Sequence, residues 1–304
     1  MDKGNIPTAV AARLVAAQFP QWADLPIEHV AHDGFDNATF RLGDDLLLRL
    51  PNADIYVAQV EKEQRWLPIL ARHLSLDIPE PVATGRPSDE FPRPWSVYRW
   101  IEGEPASVAP VANSTSFASE LGRFISELHA IDARGGPTPG DHNFFRGGSL
   151  GHYDSQTRSA IQLLAREIDT QAAIEVWNAA LVTSWDRPPI WVHGDVAPSN
   201  LLVREGSLRA IIDFGCIGIG DPACDLVMAW TFFTEESRNV FRRQLPLDES
   251  TWARGRGWAL WKALITLARE KRGGESAEAA TGRFGWRTGA SEILQLITAG
   301  ADSE

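Results

Sequence analysis

Residues 191–203 read WVHGDVAPSNLLV, two apolar runs enclosing His193, Asp195 and Asn200. A plain turn between strands needs little more than Gly, Asn or Pro. A His, an Asp and an Asn in that place therefore constrain the chain more than the flanking strands do. Downstream, the apolar 201–203, the polar 204–207 (REGS) and the apolar 208–212 run straight into Asp213. This is strand, tight turn, strand. An antiparallel hairpin of this length brings its two ends together, so Asn200 and Asp213 are expected to meet at its open end, with Asp195 just upstream. Two carboxylates and an amide oxygen are hard donors of the kind Mg²⁺ takes, completing its shell with water and substrate phosphates. Each residue alone is ordinary turn chemistry, and it is the joint spacing that is specific.

The rest of the chain falls into two parts. In the first, Thr8 stands as N-cap of an amphipathic helix running to Phe19. The runs 37–42 (NATFRL) and 46–50 (LLLRL) flank Gly43-Asp44-Asp45, a hairpin pattern. Residues 56–72 read as a helix with Val57, Val60, Gln64, Leu67 and Leu70 on one face and Pro68 near its end. An edge strand is expected at 78–83, where Pro79 and Pro81 sit, and another strand at 95–101 (WSVYRWI). The polar break 101–106 (IEGEPA) is the boundary. Beyond it the chain turns helical. Phe117, Leu121, Phe124, Leu128 and Ile131 form one stripe, 161–185 and 250–297 are helical, and 134–152 is a Gly/Pro-rich loop. The expectation is an α+β protein with parts 1–101 and 102–304, without the regular alternation of a Rossmann domain.

Composition narrows the function classes. The formal charge is −11 and there is no long Lys/Arg run, which argues against a nucleic-acid partner. The acidic balance permits a cationic small-molecule acceptor. No window approaches the ~18 apolar residues that cross a bilayer, and the N-terminal stretch is broken by Asp2, Asn5, Pro7, Arg13 and Gln18. The expectation is a cytoplasmic protein without a membrane partner. Cys216 and Cys224, eight apart, match no metal or redox spacing and are expected as reduced thiols. The pattern sets no oligomeric state.

The series H-G-D-x-x-x-x-N followed by I-I-D-F-G resembles the kinase catalytic loop and metal triplet. Its H-G-D form, with Gly194 where protein kinases carry Arg, is similar to the aminoglycoside phosphotransferase family and its choline-kinase-like relatives. The resemblance runs from about Gly34 to Trp230. It implies a protein-kinase-like two-lobed fold, with a small β-rich nucleotide-binding lobe over 1–101 and a larger helical lobe over 102–304 for catalysis and the acceptor. It implies ATP or GTP and Mg²⁺ as cofactors. Asp195 would accept or orient the acceptor hydroxyl's proton, and Asn200 and Asp213 would hold Mg²⁺. Arg49, in LLLRLPN, stands where the family usually has the phosphate-contacting Lys, and Glu63, in VAQVEKEQRWL, stands at the position that pairs with it. The backbone of Arg99 and Ile101 would face adenine. The phosphate loop is reduced to Gly34 in HDGFDNATF, and Asp225 in GDPACDL would be a buried anchor for the catalytic loop. The glycines 215, 218 and 220 read as backbone turns, and His193 as a structural hydrogen-bonder.

The expected activity is transfer of a nucleotide γ-phosphate to a hydroxyl of a small molecule, with an aminoglycoside-type antibiotic as leading acceptor. Choline, a sugar, a homoserine-like alcohol or a macrolide are the alternatives. Outside that class stand a pseudokinase, for which the Arg49 exchange speaks, and a protein kinase. Against the protein kinase stand Gly194 and the short span from Asp213 to Asp225. The loop after residue 134 divides between an ordinary connection and a substrate loop with Asp141, Asn143, Arg146 and Tyr153 as contacts.

Overall fold

A computed structural model of the chain describes residues 6–30, 36–276, 279–280 and 285–299. Gly34 and most of the expected phosphate turn lie outside the described residues. The chain forms two compact units: residues 1–102 with 211–215, and residues 103–210 with 216–304.

The first unit is built on an antiparallel sheet of five strands: β1 (Ile27–His29), β2 (Asn37–Leu42), β3 (Leu46–Pro51), β4 (Pro81–Gly85) and β5 (Trp95–Arg99). Their order is β1-β2-β3-β5-β4. The hairpin β2–β3 pairs Leu42 with Leu46 across the expected turn. Alternation along these strands buries Phe40, Leu42, Leu46, Leu48 and Leu50, which pack with Trp95, Val97 and the helix α1 (Thr8–Gln18). Pro7, not Thr8, is the residue before the first turn of α1, and no side chain caps it. Proline's fixed extended φ already sets the entry angle. The edge strand begins at Pro81 rather than at Ile78, since Pro79 and Pro81 lack the N–H groups an earlier pairing would need. Gly85 closes this strand opposite Trp95, where a Cβ would fall inside the indole. The helix α2 (Val57–Leu70) carries Pro68 in its last turn and buries Gln59 and Glu63.

The second unit is mostly helical: α3 (Ser114–Ala130), α4 (Asp154–Leu163), α5 (Thr170–Leu181), α6 (Met228–Thr231), α7 (Glu235–Gln244), α8 (Glu249–Lys271) and α9 (Ala290–Thr298). Phe117, Leu121, Phe124 and Leu128 of the stripe are buried along α3, Ile131 just past its end is half-buried, and Asn113 caps the helix by accepting from the N–H groups of Thr115 and Ser116. The single helix expected over 161–185 is two. Asp169 caps α5 by accepting from Ala172 N–H, which starts a new helix after α4 has ended. The helical region at the C-terminal end is likewise α8 and α9, with no single helix across 250–297. A core of Trp177, Trp258, Leu260, Leu264 and Ile293 joins α4, α5, α8 and α9. Small strands frame the polar loop: β6 (Glu104–Pro105), β7 (Ile190–Val192), β8 (Leu201–Arg204), β9 (Ser207–Ile211) and β10 (Gly218–Gly220). β6, β8 and β9 form one sheet and β7 pairs with β10. Gly218 and Gly220 are therefore in a short strand, not in turns. Gly220 packs so close to Gly147 that a Cβ would meet its carbonyl oxygen, so glycine is needed there for contact with a neighbouring backbone.

Candidate active site

In the first unit, Arg49 on β3 reaches two carboxylates. Its Nη1 donates to Glu63 Oε1 at 2.9 Å and Oε2 at 3.1 Å, and its Nη2 donates to Asp213 Oδ1 at 2.6 Å. The planar guanidinium fork makes this double contact possible where a lysine ammonium offers a point charge. Tyr98 on β5 donates its hydroxyl to Glu63 Oε2. Burial works against the Arg49 charge, but Glu63 and Asp213 outweigh it and push its pKa up. Burial, and next Glu63, push the Tyr98 hydroxyl well above its usual value, so it stays a donor. Asp213 has φ +64°, a backbone state that costs a side chain about 1–2 kcal/mol. Next to it, Gly215 lies against the Gln59 amide, where a Cβ would clash.

In the second unit the polar loop is fixed from behind. Asp225, with no exposed surface, accepts His193 N–H at 2.8 Å on one oxygen and Gly194 N–H at 2.7 Å on the other. Burial pushes its carboxyl up, and the neighbouring His193 ring and these two bonds pull the other way. Asp225 is thus the buried anchor of the loop. His193 is fully buried and its Nδ1 accepts from Asp195 N–H at 3.2 Å, a structural role. Gly194 at φ +84° turns the loop where a Cβ would lie 2.5 Å from Cys216 O.

This anchoring presents Asp195. Its carboxylate is a third exposed and takes Lys262 Nζ on Oδ1 at 2.9 Å. Asn200 Nδ2 donates to Asp195 O at 2.9 Å and to Oδ2 at a longer 3.3 Å. Burial would raise the Asp195 carboxyl, but the charges of Lys262 and Arg146 and the Lys262 hydrogen bond outweigh it and lower its pKa to about 2. Asp195 is a carboxylate throughout the physiological range.

Arg146 is not poised as a substrate contact. Its Nε donates to Gly194 O at 3.0 Å, and its guanidinium lies 4.9 Å from the Trp258 ring centre, 5.0 Å from Trp261 and 6.0 Å from Tyr153. Tyr153 donates to Phe144 O at 2.5 Å. Asn143, fully buried, ties its own turn by accepting from Gly140 N–H and donating to Arg146 O. Of the four expected contacts in this loop, three are its scaffold, and only Asp141 is exposed. Sequence reasoning missed Lys262 altogether. The signal available was a lone lysine in the Trp/Ala/Leu stretch WALWKAL of α8.

For the nucleotide base, Arg99 N–H is already given to Glu80 O at 2.9 Å, so the group Arg99 can offer is its carbonyl. Ile101 follows the end of β5, and its N–H meets no acceptor among the described residues. In the first unit Asp213 carries a carboxylate; in the second the Asn200 amide nitrogen is committed to Asp195, which leaves its oxygen as an acceptor. Carboxylate and amide oxygens are the hard donor types that Mg²⁺ takes. Among the described residues no cluster of three or more His, Cys, Asp or Glu makes a separate metal site. Cys216 and Cys224 are both free thiols. No described helix is long and apolar enough to cross a membrane.

The model of the phosphotransferase enzyme family, APH, matches residues 29–258. No curated protein matches. Solved structures do. The GDP complex of wild-type aminoglycoside 2'-phosphotransferase-IIIa is similar, with a TM-score of 0.69 and 20% identity over 97% of this chain and 99% of that one. A streptomycin–ATP ternary complex of APH(2")-IIa is similar, with a TM-score of 0.57 and 18% identity over 96% and 97%. So is the macrolide 2'-phosphotransferase MphH from Brachybacterium faecium, with a TM-score of 0.59 and 21% identity over 91% and 97%. At these identities the likeness shows the fold: a small antiparallel sheet unit and a helical unit, as in kinase-like phosphotransferases.

Proposed function

Because this chain belongs to the phosphotransferase enzyme family, we propose that it moves the γ-phosphate of ATP or GTP to a hydroxyl of a small molecule. In this reading the strand-rich part, 1–101, takes the nucleotide, and 102–304 carries catalysis and the acceptor. The observation that carries it is Asp195, an ionised, partly exposed carboxylate on a loop held rigid by Asp225. Phosphoryl transfer asks the protein chiefly for positioning and charge neutralisation. Asp195 orients the acceptor hydroxyl and receives its proton late, which suits a carboxylate of low basicity. Arg49, fixed by Glu63, is the cation for the nucleotide phosphates, and this ion pair favours turnover over a pseudokinase. The carbonyl of Arg99 and the N–H of Ile101 are the proposed adenine contacts. Asn200 and Asp213 are the proposed oxygen donors to Mg²⁺, which, when bound, neutralises charge on the β- and γ-phosphate oxygens.

The acceptor class proposed first is an aminoglycoside, as in the streptomycin-bound relative, and second a macrolide. A choline-type acceptor is disfavoured by one observation. The aromatic box of Tyr153, Trp258 and Trp261, the kind of site that takes quaternary ammonium groups, is filled by the protein's own Arg146. The test is coupled nucleoside-diphosphate release with Mg·ATP and Mg·GTP over aminoglycosides, macrolides, choline, sugars and a peptide panel. Release dependent on an aminoglycoside or macrolide supports the reading. Release with peptides alone, or with none of these acceptors, contradicts it.

A further inference from the structure

Lys262 has no counterpart in the motifs that define the loop, yet its Nζ donates to Asp195 Oδ1 at 2.9 Å, closer than Asn200 Nδ2 comes to Oδ2. It comes from a distant part of the chain, on α8, one helical turn after Trp258 and next to Trp261. Both tryptophans are buried in the core of the second unit, which fixes the helix face from which Lys262 projects. Its side chain is 13% exposed, less than half the exposure of the Asp195 carboxylate. Withdrawing an ammonium this far from water is costly, and a buried ion pair contributes little to stability over well-packed apolar residues. Packing alone therefore gives no reason for a lysine here.

The position gives one. A hydroxyl hydrogen-bonded to Asp195 Oδ2 lies ~3 Å from that oxygen, on the same carboxylate whose Oδ1 holds Lys262 Nζ at 2.9 Å. Oδ1 is taken by Lys262, so the oxygen left for that hydroxyl is Oδ2, whose bond to Asn200 is the long one. Resting on the phosphotransferase reading above, we propose that Lys262 is a catalytic cation that donates to the transferring phosphoryl group. The acceptor oxygen forms its bond to phosphorus as the bond from phosphorus to the bridging β-phosphate oxygen breaks. The hydroxyl proton passes to Asp195 Oδ2, and the nucleoside diphosphate leaves. Lys262 keeps its proton throughout and neutralises charge on the equatorial oxygens, a donor fixed in advance of the reaction.

The test needs no knowledge of the acceptor. Binding of Mg·ADP, alone and with aluminium fluoride as mimic of the transferring phosphoryl, is measured by calorimetry for the wild type, Lys262→Met and Lys262→Arg. The wild type gains affinity with fluoroaluminate. Lys262→Met binds Mg·ADP within about threefold of the wild type and loses roughly 10- to 100-fold of the fluoroaluminate gain, while Lys262→Arg keeps most of it. A Lys262→Met protein with the full gain overturns the role of Lys262 and leaves the phosphotransferase reading standing. A Lys262→Met protein that has also lost Mg·ADP binding overturns it too, since the lysine then holds the fold. No gain in the wild type overturns the phosphotransferase reading itself and this role with it.

Discussion

Replacing Arg49 by Met removes the cation that two carboxylates share. Side-chain exposures are 12% for Arg49, 4% for Glu63 and 27% for Asp213. Water can reach Asp213 once the guanidinium is gone, but Glu63 is left charged in the interior. Breaking a buried pair from one side costs about 3–5 kcal/mol. At ~3 °C per kcal/mol, Arg49→Met is expected to melt roughly 10 °C below the wild type. The structure also predicts how the loss is recovered. Arg49→Met with Glu63→Leu removes the stranded charge and recovers most of the loss. What remains is the Tyr98 hydroxyl, whose acceptor is Glu63, a buried donor left unmade at about 1–3 kcal/mol. Adding Tyr98→Phe closes that gap and brings the triple variant within about 2 kcal/mol of the wild type. Urea titration and calorimetry of the four proteins make the cycle. An Arg49→Met protein melting within about 2 °C of the wild type refutes the buried-pair reasoning. So does a double variant no more stable than the single one.

Asp213→Asn weakens Mg·nucleotide binding, read by calorimetry, while binding of the metal-free nucleotide changes little. Gly194→Ala places a Cβ 2.5 Å from Cys216 O at a φ of +84°, and is expected to cost about 2 kcal/mol or more in a thermal melt and to lower turnover through Asp195. Burial lowers the His129 pKa from 6.5 to about 4. The folded protein thus favours the neutral ring. That stabilisation is complete above the unfolded value and is lost as pH falls from 6.5 through 4, by up to about 3 kcal/mol. Urea titrations between pH 7 and pH 4 should show this loss in the wild type and a flatter profile in His129→Gln.

What the sequence made legible was local. The hairpin β2–β3 is written in an alternating pattern around Gly43, and β8–β9 in two apolar runs around 204–207. Arg49 and Glu63 were found by position, and the structure brings them together. Asp225 as buried anchor is implied by the family resemblance rather than by local pattern, since its two backbone bonds reach back 32 and 31 residues. What stayed hidden depends on tertiary contact. Arg146 and Lys262 reach the loop from segments 48 and 67 residues away, and nothing in the local pattern of either segment points to Asp195. The contact of Arg49 with Asp213 has the same character, since a guanidinium long enough to take two partners is chosen by geometry rather than spacing. The break between α4 and α5 was legible after all: Asp169-Thr170 is a cap signal inside an otherwise helical pattern, and Asp169 is the N-cap.

The central claim is that Asp195 serves transfer of the γ-phosphate and not the binding of nucleotide. The most direct measurement follows γ-labelled ATP with Mg²⁺ and the acceptor that supports diphosphate release, using the wild type and Asp195→Asn side by side. Label is expected on the acceptor with the wild type. With Asp195→Asn a loss of about 10²–10⁴-fold in the rate of transfer is expected, with nucleotide affinity within a few-fold of the wild type. Equal labelling by the two proteins would contradict that claim.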